Sequence, residues 1–294
     1  MQDELLENEV IQQLVQWAAS QAAVRAMLLT STRAVPNAPV DMLSDYDVIL
    51  VTADIRPFHA DRSWLQAFGE VLVAYWDPIH SDPDYGCDRF GNVIQFTDGL
   101  KIDFTLWPVA LLQQIAAAST LLAELDAGYR ILLDKDGLTT GMATPTYRAY
   151  LPTLPDAATF QRIVEEFFSD VPYVAKCLWR DELLPAKWCL DYDMKHVYLR
   201  QMLEWKIALD YGGRVKPGAL GKGLKKHLPN TLWVQLEGAY AGAGVAENWD
   251  ALWRTIHLYH EVALEVAKRL GYNYPHELEQ CVVTYAQRIR DMTP

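Results

Sequence analysis

Residues 28–51 read LLTSTRAVPNAPVDMLSDYDVILV. Two aspartates, Asp45 and Asp47, stand one tyrosine apart directly ahead of the apolar run Val48-Ile49-Leu50-Val51. In a β-strand, side chains at i and i+2 share a face. The two carboxylates at the mouth of a buried strand therefore repel unless something positive lies between them. Working outward, Ala26-Met27-Leu28-Leu29 fits a buried strand, "AVPNAP" (34–39) a turn-forming insert, and 48–51 a second strand. Upstream, residues 4–26 show helical spacing through Leu5, Leu6, Val10, Ile11, Leu14, Val15, Trp17 and Ala18.

Downstream, residues 61–68 are predicted helical and 70–76 a strand, followed by the loop DPIHSDPDYGCDRFG (77–91). NVIQFTDGLKIDFTLWP (92–108) reads as a hairpin, with strands 92–97 and 100–107 about an Asp98-Gly99 turn. A helix (108–117) and a strand (129–133) complete a mixed α/β unit with about five strands. Near residue 150 the pattern changes. Asp156 is placed to cap a helix, and long helices are predicted over about 156–181, 185–211, 246–271 and 275–290, with breaks at 212–221 and 238–244. The expected domains are 1–150 and 151–294, the second a helical bundle.

The chain has 294 residues and a formal net charge of −12. The first 150 residues hold 20 of the 38 acidic residues and only 9 of the 26 basic ones. Such a surface repels phosphate backbones, so no nucleic-acid partner is expected, and it suits a cationic small molecule or a metal. Ordinary solubility charge is the alternative reading. Cys87, Cys177, Cys189 and Cys281 lack metal-ligand spacing and read as buried, reduced thiols. The N-terminus lacks a signal-peptide layout, and no apolar stretch approaches the roughly 20 residues that span a bilayer. A cytoplasmic monomer that does not engage membranes is expected.

A third aspartate, Asp103, interrupts the alternating strand Lys101-Ile102-Asp103-Phe104. If this strand neighbours 47–51, three carboxylates converge. Hard oxygen ligands favour Mg²⁺, and metals held this way stabilise an in-line phosphoryl displacement. Thr30-Ser31-Thr32-Arg33 follows the first strand as a small-residue turn that can offer N–H groups and hydroxyls to a phosphate, with Arg33 as a charged donor. The bland alternative makes Asp45 a turn cap and Asp47 a solvated strand end. An unpaired buried carboxylate in the apolar strand at 103 costs several kcal/mol, which favours a functional role for Asp103.

The order of small-residue turn, D-x-D and third aspartate resembles the polymerase-β-like nucleotidyltransferase superfamily. RAVPNAPVDMLSDYD (33–47), DGLKIDFTLWP (98–108), LLDKDG (132–137) and AKCLWRDELLPAK (175–187) resemble the bacterial aminoglycoside 6-adenylyltransferases, or streptomycin adenylyltransferases. MLEWKI (202–207) and ENWDALW (247–253) also fit, so the resemblance spans nearly the whole chain. It implies an α+β protein with an N-terminal polymerase-β-like nucleotidyltransferase domain on a mixed sheet and a C-terminal helical bundle domain. It implies transfer of AMP from ATP to a hydroxyl of streptomycin, with release of pyrophosphate. By the same resemblance, Asp45 and Asp47 match the metal-binding pair and Asp103 the third carboxylate, commonly the general base. The family pattern has Gly-Ser-Arg where this chain has Ser31-Thr32-Arg33.

In the charged, aromatic and helical phrase 176–187, Asp181 and Glu182 can receive the guanidinium groups of streptomycin, and Trp179 can stack on a sugar. Lys176 can reach the triphosphate, as can Lys222 or Lys225 in GKGLKK. That stretch lacks Walker spacing and is equally a surface basic patch. A solvated helix end with Arg180 pairing Asp181 is the alternative for the first phrase. His257 and His260, and the Trp and Tyr residues in 233–259, read as core or surface groups. Two other functions remain open: the same chemistry on a different hydroxylated acceptor, and a catalytically weak nucleotide- or drug-binding homologue.

Overall fold

The computed structural model describes residues 2–292, with side chains described from Glu9 onward. Leu5 and Leu6 of the expected apolar stripe thus lie outside the described side chains. The chain forms two compact units, Met1–Ala149 and Tyr150–Pro294.

The first unit begins with helix α1 (Gln2–Ser20) and strand β1 (Val24–Thr30). The predicted helix ran to residue 26. It stops earlier because Ala26 to Leu29 are wholly buried and pair in the sheet, which draws Val24 and Arg25 into the strand. Strands β2 (Tyr46–Thr52) and β3 (Val71–Trp76) flank a short helix α2 (Arg56–Ala60) and a 3₁₀ turn at Ser63–Ala67, in place of one helix over 61–68. The expected loop at 77–91 contains the two-residue β4 (His80–Ser81) and the start of β5 (Asp88–Phe96). Polar composition masked these residues because β5 alternates buried and solvated positions. Strand β6 (Lys101–Pro108) closes the hairpin predicted at Asp98-Gly99, and helix α3 (Val109–Ala117), helix α4 (Ala123–Asp126) and strand β7 (Tyr129–Asp134) follow.

Seven strands, not five, form the sheet in the order β3-β5-β6-β2-β1-β7, with β4 on β5. Among the described residues only β2 and β6 pair in parallel. Strict alternation sends Val48, Leu50, Ile102, Phe104 and Leu106 into one core with α1, and Ile49, Val51 and Trp107 into another with α3. Burying each of these side chains contributes about 1.5–3 kcal/mol. A strand apolar on both faces explains the uninterrupted run at 48–51.

The second unit is helical. Helix α5 (Ala157–Trp179) is capped by the Asp156 carboxylate, which accepts the Thr159 N–H at 2.7 Å. Helix α6 (Leu183–Lys187), a π-helical segment (Trp188–Leu199) and α7 (Arg200–Asp210) replace the single regular helix predicted over 185–211. Apolar spacing near four residues fits both kinds of turn, so periodicity does not separate them. Helices α8 (Leu224–His227) and α9 (Asn230–Gly238) precede α10 (Val245–Leu270) and α11 (His276–Arg290). Phe160, Phe167, Phe168, Trp205 and Tyr259 anchor one core. Trp249 and Tyr259 are buried in it, whereas Tyr240 is exposed. All four cysteines are free. Cys177 and Cys189 are buried as expected, but Cys87 is half-buried and Cys281 exposed. No described helix is long and apolar enough to cross a membrane.

Candidate active site

Three strand ends meet at the end of the first unit's sheet. Asp47, the second residue of β2, lies opposite Thr30 at the end of β1 and opposite Asp103 near the start of β6. Parallel pairing of β2 and β6 puts the two carboxylates in the same register slot. By alternation both belong to the face that carries Ile49, Val51 and Trp107 further along the strands. Asp45 sits one residue before β2.

The positive group among them comes from the chain itself. Lys101 lies two residues before Asp103 on the same face of β6, and its Nζ donates to Asp45 Oδ2 at 2.5 Å and to Asp103 Oδ2 at 3.0 Å. Lys101 has no role in the expectation drawn from the sequence. The i, i+2 spacing to an aspartate in a strand was the signal that marked it. Burial opposes the charge on Lys101, yet the hydrogen bonds to Asp45 and Asp103 win and raise its pKa. Burial raises the Asp47 pKa, aided by the Asp103 and Asp45 charges and opposed by a hydrogen bond from the Ser31 hydroxyl. Burial likewise raises Asp103 against the pull of Lys101.

Ser31 follows the end of β1 and enters a short 3₁₀ turn. Its backbone has φ 60° and ψ −149°, a region that is essentially glycine's own. Thr32 is exposed beside it in a single 3₁₀ turn. Arg33 serves the loop that carries Asp45. Its Nε donates to the Asp45 carbonyl at 3.1 Å, and a terminal nitrogen donates to the Ser44 carbonyl at 2.8 Å. The guanidinium also stacks 3.9 Å above the Tyr46 ring. Asp41 closes the same loop, accepting from Leu43 N–H at 2.9 Å and from the Ser44 hydroxyl at 3.0 Å.

Three carboxylates supply hard oxygen donors, and Asp103 Oδ1 is buried with no hydrogen-bond partner. An orphaned carboxylate oxygen in a group of three carboxylates fits a small divalent cation. The structure thus brings Ser31, Asp45, Asp47 and Asp103 together, with Arg33 behind them.

Lys176, Trp179, Asp181 and Glu182 cluster separately, at the end of α5 in the second unit. The phrase is not continuously helical: α5 stops at Trp179, and Asp181 adopts a left-handed conformation with φ 59°. Glu182 N–H bonds the Cys177 carbonyl at 2.8 Å and Asp181 N–H the Leu178 carbonyl at 3.2 Å, a helix-terminating arrangement. Asp181, Glu182 and Lys176 are exposed. Trp179 is half-buried, its indole N–H donating to the Met292 carbonyl at 3.1 Å. Arg180 approaches Glu182 at 4.0 Å, not Asp181 as the alternative reading held. Lys222 is exposed, and Lys225 pairs with Glu237 at 3.6 Å. His260 does find a carboxylate, Glu279, at 2.7 Å.

A family model described as Streptomycin adenylyltransferase matches residues 5–289. An aminoglycoside 6-adenylyltransferase of Bacillus subtilis (strain 168) is 29% identical over 284 residues, 96% of this chain and 97% of the relative. Another, of Campylobacter jejuni, is 29% identical over 272 residues, 92% of this chain and 91% of that protein. The crystal structure of an aminoglycoside 6-adenyltransferase from Bacillus subtilis aligns with 97% of this chain and 99% of its own, at 24% identity and a TM-score of 0.45.

Proposed function

The chain belongs to the streptomycin adenylyltransferase family, and we propose that it transfers AMP from ATP to a hydroxyl of an aminoglycoside, with streptomycin the acceptor. The observation that carries this reading is the in-register Asp47–Asp103 pair with Asp45 beside it. The acceptor oxygen attacks the α-phosphorus of ATP. A bond forms between them, the bond from that phosphorus to the pyrophosphate oxygen breaks, and the hydroxyl proton passes to a base. Asp103 is the proposed base, a half-buried carboxylate whose pKa burial raises. Mg²⁺ bound by Asp45, Asp47 and Asp103 supplies neutralisation of the phosphate charge.

The chain's own residues do the positioning. Arg33 and Asp41 set the loop that presents Asp45, and Ser31 orients Asp47. Ser31, Thr32, Arg33 and Lys176 are the proposed nucleotide contacts. Trp179, Asp181 and Glu182 are the proposed acceptor contacts, since exposed carboxylates suit the guanidinium groups of streptomycin. The enzyme works as a cytoplasmic monomer, in the compartment that supplies ATP.

The test is pyrophosphate release by the purified protein with MgATP, with and without streptomycin. Streptomycin-dependent release is expected. Release with other aminoglycosides alone keeps the chemistry and moves the acceptor. ATP binding without release for any acceptor overturns the enzymatic reading in favour of a binding protein.

A further inference from the structure

We propose that Lys101 is a positioning residue, an internal counter-ion that holds Asp45 and Asp103 in place and yields them when a divalent cation binds. The inference rests on the carboxylate site proposed above and concerns what occupies its centre beforehand. One ammonium contacts two carboxylates at once, at 2.5 and 3.0 Å. Asp45 lies on a loop and Asp103 on a strand, so this contact ties the loop to the sheet.

The tie is incomplete in a way that suits displacement. The ammonium contacts Asp45 and Asp103 but neither Asp47 nor the orphaned Asp103 Oδ1. A divalent cation fits those remaining donors. The Lys101 side chain is 27% exposed, and those of Asp45 and Asp103 are 40% and 27% exposed, so an ion from solvent can reach them. A lysine carries its charge on a flexible four-carbon stem. Nζ can leave the carboxylates without moving β6.

A counter-ion that must be displaced competes with the metal. A brace that merely shapes the site does the opposite, because its loss scatters the ligands. The two roles therefore predict opposite shifts in metal affinity.

The experiment compares wild type, Lys101→Met, Lys101→Gln and Asp47→Asn as full-length proteins without nucleotide. Thermal unfolding is followed in chelator and across an Mg²⁺ titration. Lys101→Met is expected to melt below wild type in chelator and to reach half-saturation at about tenfold lower Mg²⁺, the scale of one displaced charge-assisted hydrogen bond. Lys101→Gln, which keeps donors without charge, serves if Lys101→Met does not fold, with the same direction expected. An unchanged or higher Mg²⁺ midpoint in the folded Lys101 variant overturns the proposal while leaving the metal site standing. A wild type that responds to Mg²⁺ no differently from Asp47→Asn overturns the metal site and the proposal together.

Discussion

Asp47 and Asp103 are direct cross-strand partners on β2 and β6, one carboxylate in the same register slot of each parallel strand. Like charges directly opposed destabilise a sheet. Their placement therefore costs the fold something that the proposed cation offsets. Asp47→Asn is expected to leave the protein folded, with a melting temperature equal to or above wild type in chelator. Turnover should fall by about 10²–10⁴-fold, the range for a lost acid–base or charge-stabilising group. Retained turnover in Asp47→Asn excludes its role.

Ser31 carries two opposing effects that substitution can separate. Ser31→Gly removes the strain of φ 60° and ψ −149° and is expected to stabilise the protein by about 1 kcal/mol, after glycine's own entropic cost. Ser31→Ala keeps the strain and deletes the hydroxyl that holds Asp47. Its melting temperature should stay near that of wild type while kcat falls. Equal stability in Ser31→Gly and Ser31→Ala would show that the backbone strain is absent.

The proposed acceptor contacts make a prediction in the kinetics. Asp181→Asn suits the left-handed backbone at this position, because asparagine tolerates it as well as aspartate does. Combined with Glu182→Gln it removes both charges without removing the helix stop. The KM for streptomycin should rise about tenfold with the KM for ATP unchanged, as expected when charge-assisted contacts to the acceptor alone are lost. A parallel rise in both constants would place these residues elsewhere.

A pH dependence arises in the helical unit. Asp170 on α5 meets Cys189 and Asp193 of the π-helical segment, their ligand atoms all within 4.8 Å of one another. Burial, then the Asp193 and Glu166 charges, push the Asp170 pKa up to about 6, while the Cys189 thiol holds it down. The folded state thus binds this proton more tightly than the unfolded chain does. Stability from Asp170 is full below about pH 4 and is lost as pH rises through about 6. Asp170→Asn should match wild type near pH 4 and melt progressively higher than wild type as pH rises, levelling off above 6. Parallel melting curves across that range would exclude the linkage.

The residues by themselves determined the two-part organisation, the Asp98-Gly99 hairpin, the Asp156 cap and the apolar strand behind Asp45 and Asp47. Each follows from local rules: alternation, turn chemistry and the side-chain acceptor a helix start needs. The third carboxylate was legible too, because Asp103 breaks an otherwise apolar alternation. What occupies the space between the carboxylates was decided only in three dimensions. Lys101 reaches Asp45 across 56 residues of chain, and nothing in either stretch states that β2 and β6 lie side by side and in parallel. The same holds for Arg33: nothing in the sequence around it states that the loop at 41–45 folds back and offers it carbonyls. It holds for Ser31 as well. A serine in sequence implies an ordinary backbone, and only the path from β1 into the aspartate loop forces it into a conformation that glycine adopts freely. Local spacing specifies which side chains share a face. Which faces meet, and which charges must then be balanced, depends on strand pairing between distant segments.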